Sequence, residues 1–245
     1  MGRLRIKFSK MGNLSYISHL NMMRFFERAI RRAEIPILFS EGFNPHPRIV
    51  FSSPLSLGIS SEGEYADFEV DDSITMNEFR ERLSSQLPEG MDILNIGVLG
   101  DKVINIMRTV NYSKYELLIE TDINSFDEFN SKVFDVLSND SIIILKKTKS
   151  KEVEKDIRGM IDKVDCYNIS DDNVSKYIKG VFGAITKEEE NSYYCVRGKI
   201  ATGSKENLKC KTFFDVITRD MNAKLISMHK IETYVEKDGE TVTAL

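Results

Sequence analysis

Most of the side chains in this sequence that could do chemistry lie between residues 16 and 67. Residues 18–34 repeat apolar side chains at helical spacing. Turning that helix by 100° per residue places Arg24, Arg28, Arg31 and Arg32 in one sector, opposite Met22, Phe26, Ala29 and Ala33. Guanidinium groups in such a row can dock phosphates. They could equally form a solvated face with local pairs such as Glu27–Arg31. His19 falls on the core-facing side, in the first turn, where the amide dipoles disfavour an imidazolium. A neutral ring there could act as a base or hydrogen-bond a nucleobase, or it could be a packed core histidine. The following loop, Ser40-Glu41-Gly42-Phe43-Asn44-Pro45-His46-Pro47-Arg48, is stiffened by its prolines. In it Phe43 could stack on a base, Asn44 could read a base edge and Arg48 could hold a phosphate, with His46 beside them. The competing reading is a structural turn with Phe43 filling the core. His19 and His46 are the candidate catalytic groups, and the carboxylates of Glu41, Glu62, Glu64 and Asp67 are near in sequence.

Other chemistries find little support. Cys166, Cys195 and Cys210 are an odd number at wide spacing, which argues against a disulfide framework, a Cys-x-x-Cys metal site or a cluster-binding triplet. His19, His46 and His229 show no zinc spacing, so no metal or other cofactor is expected. Gly203-Ser204-Lys205 lacks the preceding glycine of a phosphate-binding loop and reads as a turn. No apolar run reaches membrane-spanning length, and basic residues interrupt the N-terminus where a signal peptide would need an apolar stretch. A cytoplasmic protein without membrane attachment is expected. The net charge of −4 conceals an asymmetry: residues 1–50 carry nine Lys or Arg against three Glu, whereas residues 51–100 carry two Arg against ten Asp or Glu. An anionic partner is therefore compatible with an acidic chain.

The elements that must position these residues alternate cleanly. Leu4, Ile6 and Phe8 alternate with Arg5 and Lys7 as a half-buried strand. The helix from Ser18, its N-cap, stops before Pro36. Short strands follow over 35–39 and 49–51, then a strand over 65–70, a helix through Phe79 and Leu83, and a strand over Ile93–Val98. This order, βαββαβ, is the ferredoxin-like unit. Beyond a junction near 100–113 the same order recurs: strands over 115–121, 142–145, 166–169, 193–200 and 229–235, helices over 126–137 and 212–218, and a solvated loop over 146–155. The predicted fold is α+β, two tandem ferredoxin-like domains with antiparallel sheets. Residues 1–100 form the first, and 101–245 the second, with a polar insertion near 171–191.

Residues 16–33, beginning Tyr16-Ile17-Ser18-His19-Leu20-Asn21, with residues 39–51 around Pro45-His46-Pro47-Arg48 and residues 62–67 ending Tyr65-Ala66-Asp67, resemble the radical SAM-linked protein family, whose defining domain is one of unknown function. The likeness is closest over residues 3–70 and continues more loosely through Asp156-Ile157-Arg158. It implies a stand-alone protein encoded beside a radical SAM enzyme, in a gene neighbourhood that points to RNA or the ribosome. Two positions depart from the family pattern: Asn21 stands where the family has Asp, and Arg48 where it has Lys. The second keeps the charge, and the first removes a carboxylate near His19.

Together these readings predict a non-catalytic accessory or substrate-presenting protein for a radical SAM enzyme, with the cluster and cofactor on the partner. RNA is the expected substrate, touched by Arg24, Arg28, Arg31, Phe43, Asn44, His46 and Arg48. The alternative is a free-standing RNA-binding protein or a metal-independent endoribonuclease using His19. A small-molecule enzyme lacks a paired nucleophile and base.

Overall fold

The computed structural model describes residues 2–100, 102–147, 152–237 and 240–245. In chain order the elements are β1 (Gly2–Lys10), a 3-10 turn (Gly12–Tyr16), α1 (His19–Arg32), β2 (Ile49–Phe51), β3 (Ser60–Val70), α2 (Met76–Ser84), β4 (Ile93–Val98), α3 (Ile106–Thr109) and β5 (Val110–Thr121). They continue as α4 (Phe126–Leu137), β6 (Ile143–Lys147), β7 (Glu152–Asp156), β8 (Ile161–Asn168), α5 (Lys176–Ala184), β9 (Ser192–Ala201), α6 (Cys210–Ile217), β10 (Ala223–Lys237) and β11 (Glu240–Thr243). The chain divides into two compact units, one made of Met1–Asn111 and Lys230–Leu245, the other of Tyr112–His229. The fold is mixed α+β with antiparallel strand pairing. Among the described residues no helix is long and apolar enough to cross a membrane.

In the first unit β1 lies between β4 and β3, antiparallel to both, and β2 pairs antiparallel with the Ala66–Phe68 part of β3. β10 follows β3 on the same side, and β11 pairs with β10. Alternation puts Leu4, Ile6 and Phe8 of β1 on one face with their partners Phe68, Ala66 and Glu64. The buried stripe of α1, Met22, Phe26, Ala29 and Ile30, packs there, joined by Phe79 and Leu83 of α2. Ser18 caps α1 by accepting the amide of Asn21 at 3.2 Å. Thr75 and Glu78 form a capping box that starts α2. The other face of β1 is also covered. Arg5, buried there, donates to Asp67, its partner across β3, and to the carbonyl of Ala244 near the end of the chain.

In the second unit β5, β9 and β8 run antiparallel in that order, with β10 beside β5. Arg197 of β9 pairs with the fully buried Glu116 of β5. The same guanidinium donates to the carbonyl of Asn173, and Glu116 accepts the amide of Ser175, the cap of α5.

Four expectations need correction. The first unit does not end near residue 100. It runs to Asn111 because Asp67 accepts the amide of the buried Ile106 at 2.9 Å. It also takes back Lys230–Leu245, which the sequence assigns to the second domain. Residues 146–155 are not simply a loop. β6 and β7 form a separate two-stranded hairpin, and its main-chain pairing needs no buried side chains: Ile143, Leu145 and Val153 remain exposed. Residues 148–151 lie outside the described residues. The insertion at 171–191 contains α5, whose Ile178 is fully buried against Leu118 and Cys195, together with the buried Val174 before the helix and the partly buried Val181. The acidic residues at 171–172 and 188–190 mask that apolar spacing in the sequence. Over 35–39 the expected strand is reduced to isolated bridges, Ile37 to Val70 and Phe39 to Pro47.

Candidate functional site

The arginine row forms as its spacing requires. Arg24, Arg28 and Arg31 are exposed on α1, and their side chains make no hydrogen bond or ion pair among the described residues. Glu27 does not pair with Arg31, so the row is not absorbed by local ion pairs among the described residues. Arg32 differs. Its guanidinium donates to the side-chain and main-chain oxygens of Gln86, at 3.0 and 3.3 Å.

The loop after α1 is a hairpin hung on the end of β3. Leu38 donates its amide to the Glu69 carbonyl, Arg48 to that of Leu38, and Glu69 to that of Arg48. At the tip, the amide of His46 donates to Ser40 Oγ at 3.0 Å, and the amide of Ser40 to the His46 carbonyl at 2.9 Å. Phe43 does not fill the core: it is fully exposed, with Asn44 and His46 exposed beside it. Arg48 is held in an ion pair with Glu69, Nη1 to Oε2 at 3.0 Å. It is therefore a strut of the hairpin rather than a free phosphate contact.

His19 opens α1 and is half-buried, its ring edge-on to Phe51 with centroids 5.8 Å apart. It lies over the polar end of the sheet face. Lys10, Glu64 and Lys230 are each only 2% exposed. Glu64 Oε1 accepts from Lys230 Nζ at 2.9 Å and from Ser61 Oγ at 2.8 Å. Lys10 Nζ donates to the carbonyls of Ile17 at 2.9 Å and Ser15 at 3.5 Å, in the segment that leads into α1. Burial holds the His19 imidazole below its ordinary value, Glu64 opposes that shift and Lys10 adds to it. Burial likewise lowers Lys10, against the pull of Glu64. This end of the unit can keep an imidazole neutral beside an ammonium and a carboxylate, the requirement for a hydrogen-bonding or proton-accepting histidine near pH 7.

The row of Arg24, Arg28 and Arg31 and the His19 ring leave α1 on opposite sides. Strand register places Phe51, the ring against His19, opposite Ala66, and the hairpin arm then runs the other way, past Phe68 to Glu69. His46 lies five residues before Phe51 in the chain, at the hairpin tip. Of the carboxylates near in sequence, Asp67 is committed to Arg5, while Glu64 is the one brought to His19. Sequence reasoning missed Lys10 and Lys230. Lys10 offered no signal, since its burial comes from pairing with the buried Ser61 of β3. Lys230 offered none, since it reaches Glu64 from 166 residues away. Among the described residues no group of three or more His, Cys, Asp or Glu is placed to hold a metal ion.

No curated protein matches the sequence. Among solved structures, the chain is similar to a Cbf5-Nop10-Gar1 complex, at 7% identity and a TM-score of 0.48, over 95% of this chain and 48% of the other. It is also similar to the archaeal box H/ACA sRNP Nop10-Cbf5 complex, at 7% identity and a TM-score of 0.44, over 94% and 46%. The chain thus spans about half the length of the solved chains it matches. Residues 3–209 match the model of a family described as "Uncharacterized protein conserved in bacteria (DUF2344)".

Proposed function

The chain belongs to this bacterial family, and on that premise we propose that it is an RNA-binding accessory protein that presents its substrate to a radical SAM enzyme encoded beside it. The observation that carries the RNA half is the exposed row of Arg24, Arg28 and Arg31 without side-chain partners among the described residues. Guanidinium groups without internal counter-charges are poised for phosphate oxygens. Phe43, Asn44 and His46 at the hairpin tip add a ring for base stacking and polar groups for base edges. The partner half rests on the resemblance of residues 16–67. With no cysteine triplet in the chain, the iron–sulfur cluster and cofactor belong to the partner. The complex would work in the cytoplasm. Recovery of the neighbouring radical SAM protein in an anaerobic pull-down from cells tests the partnership, and its absence from the captured material would refute it.

The finer architecture belongs to the same reading. The order β4-β1-β3-β2 in the first unit and β10-β5-β9-β8 in the second supports two ferredoxin-like repeats, with β6, β7 and α5 as additions to the second.

One observation favours a second reading, a metal-independent endoribonuclease: the half-buried His19 lies within electrostatic reach of Glu64 and Lys10. Cleavage of total RNA in the presence of a chelator, abolished by His19→Ala, would establish it. RNA left intact by the purified wild-type protein would eliminate it.

A further inference from the structure

We propose that the cavity where α1 and α2 end is a binding site for a phosphate monoester, the terminal phosphate of an RNA strand that follows the arginine row. The proposal rests on the RNA reading above and adds to it the place where the strand ends. The cavity, of about 280 Å³, is lined by Arg32, Ala33, Glu34, Arg82, Ser85 and Gln86, all of the first unit. Drug-sized ligand sites run to roughly 300–1,000 Å³, so a single small group suits this one better than an extended ligand. Its two cations are fixed in place by neutral oxygens. Arg32 donates through Nε to Gln86 Oε1 at 3.0 Å and through Nη2 to the Gln86 carbonyl at 3.3 Å. Arg82 donates through Nη1 to the Glu34 carbonyl at 3.3 Å. The Gln86 side chain is held in turn, its Nε2 donating to Ser85 Oγ at 3.2 Å. Each guanidinium has about five N–H donors, of which Arg32 spends two here and Arg82 one. Neither is in an ion pair among the described residues. Glu78, one turn before Arg82 on α2, is engaged in the capping box with Thr75. Glu34 makes the left-handed turn that ends α1, with φ at +52°, and it is its carbonyl that Arg82 takes. Straps between helix ends need only such carbonyls, whereas the two charges left over call for an anion. Charge and direction identify it. Arg24, Arg28 and Arg32 recur every four residues, about 6 Å of helix at each step. A strand whose phosphates follow the row therefore reaches Arg32 where α1 stops. A backbone phosphate carries one negative charge. A monoester carries about −1.5 to −2 near pH 7, which two guanidinium groups match.

The test is fluorescence anisotropy of the whole chain with one short RNA sequence made with a 5′-phosphate, a 3′-phosphate or hydroxyl ends. Calorimetric titration with inorganic phosphate at constant ionic strength runs beside it. One phosphorylated form should bind about tenfold tighter than the hydroxyl form, the worth of one added charge-assisted contact. Which form does so gives the strand its direction. Arg82→Gln removes the charge but keeps a donor for the Glu34 carbonyl, and it should erase the preference. Glu34→Gly removes a carboxylate from the cavity and suits the left-handed turn, so it should sharpen the preference several-fold. That second variant keeps the idea testable if Arg82→Gln fails to fold. RNA that binds with no preference for a phosphorylated end, or a preference that persists in folded Arg82→Gln, overturns the proposal and leaves the RNA reading standing. If no RNA form binds, the RNA reading falls by itself and inorganic phosphate decides the cavity. Saturation that is lost in Arg82→Gln then supports a site for free phosphate, and a flat titration overturns it.

Discussion

Arg5 and Asp67 face each other across β1 and β3, and the guanidinium donates to both carboxylate oxygens, Nε to Oδ1 at 2.6 Å and Nη2 to Oδ2 at 2.9 Å. The pair is buried and also holds the Ala244 carbonyl and the Ile106 amide. Breaking one side of such a pair leaves the other charge stranded. Asp67→Asn should therefore lower the unfolding free energy by about 3–5 kcal/mol. A urea titration reads the loss directly, and a change below about 1 kcal/mol would show that the pair is dispensable.

The arginine row makes a quantitative prediction about salt. Replacing Arg24, Arg28 and Arg31 together by Ala should weaken RNA binding. It should also reduce the slope of log affinity against log salt by about 2, from roughly 0.7 per phosphate contact on a single strand. Each exposed position should change stability by no more than about 0.5 kcal/mol. Filter binding across a salt series tests this, and an unchanged slope removes the row from the interface.

Phe43 separates folding from binding. Because its ring is fully exposed, Phe43→Ala should leave the unfolding midpoint nearly unmoved. If the ring stacks on a base, the same substitution should cost about 1–3 kcal/mol of RNA affinity. Equal affinity for parent and variant would assign the ring no part in recognition.

The charges around His19 predict how it titrates. Burial is the main cause of its lowered value, so its NMR midpoint should fall below the ordinary 6.5. Folding then favours the neutral ring. Its stabilising contribution is complete above the unfolded value and is lost as pH falls through the lower folded one. Lys10→Met should raise the midpoint and Glu64→Gln should lower it further, opposite signs that a merely packed histidine without charged neighbours would not show.

Elements whose stability comes from neighbours in sequence were legible. α1 declares itself through Ser18 and its apolar stripe, and β4 spans the Ile93–Val98 read from the sequence. α5 was hidden because its buried Ile178 and the buried Val174 just before its cap sit between acidic runs that dominate any local average. At the site, the exposure of the arginine row followed from helix geometry alone. The surroundings of His19 did not, because Glu64 and Lys10 reach it through strand pairing and Lys230 arrives from the far end of the chain. The two readings of Phe43, core or surface, are equally compatible with its local sequence. Only the hairpin's attachment to Glu69 decides between them.

The return of Lys230–Leu245 to the first unit sets an order of events during synthesis. A nascent chain that has reached Asn111 already carries Glu64 and Arg5, yet their partners Lys230 and the Ala244 carbonyl are still untranslated. The inner unit, Tyr112–His229, is continuous in the chain and can close first. The outer one waits for residues 230–245, so a ribosome that stalls before them leaves the region around His19 unfinished while the middle of the protein is already in place.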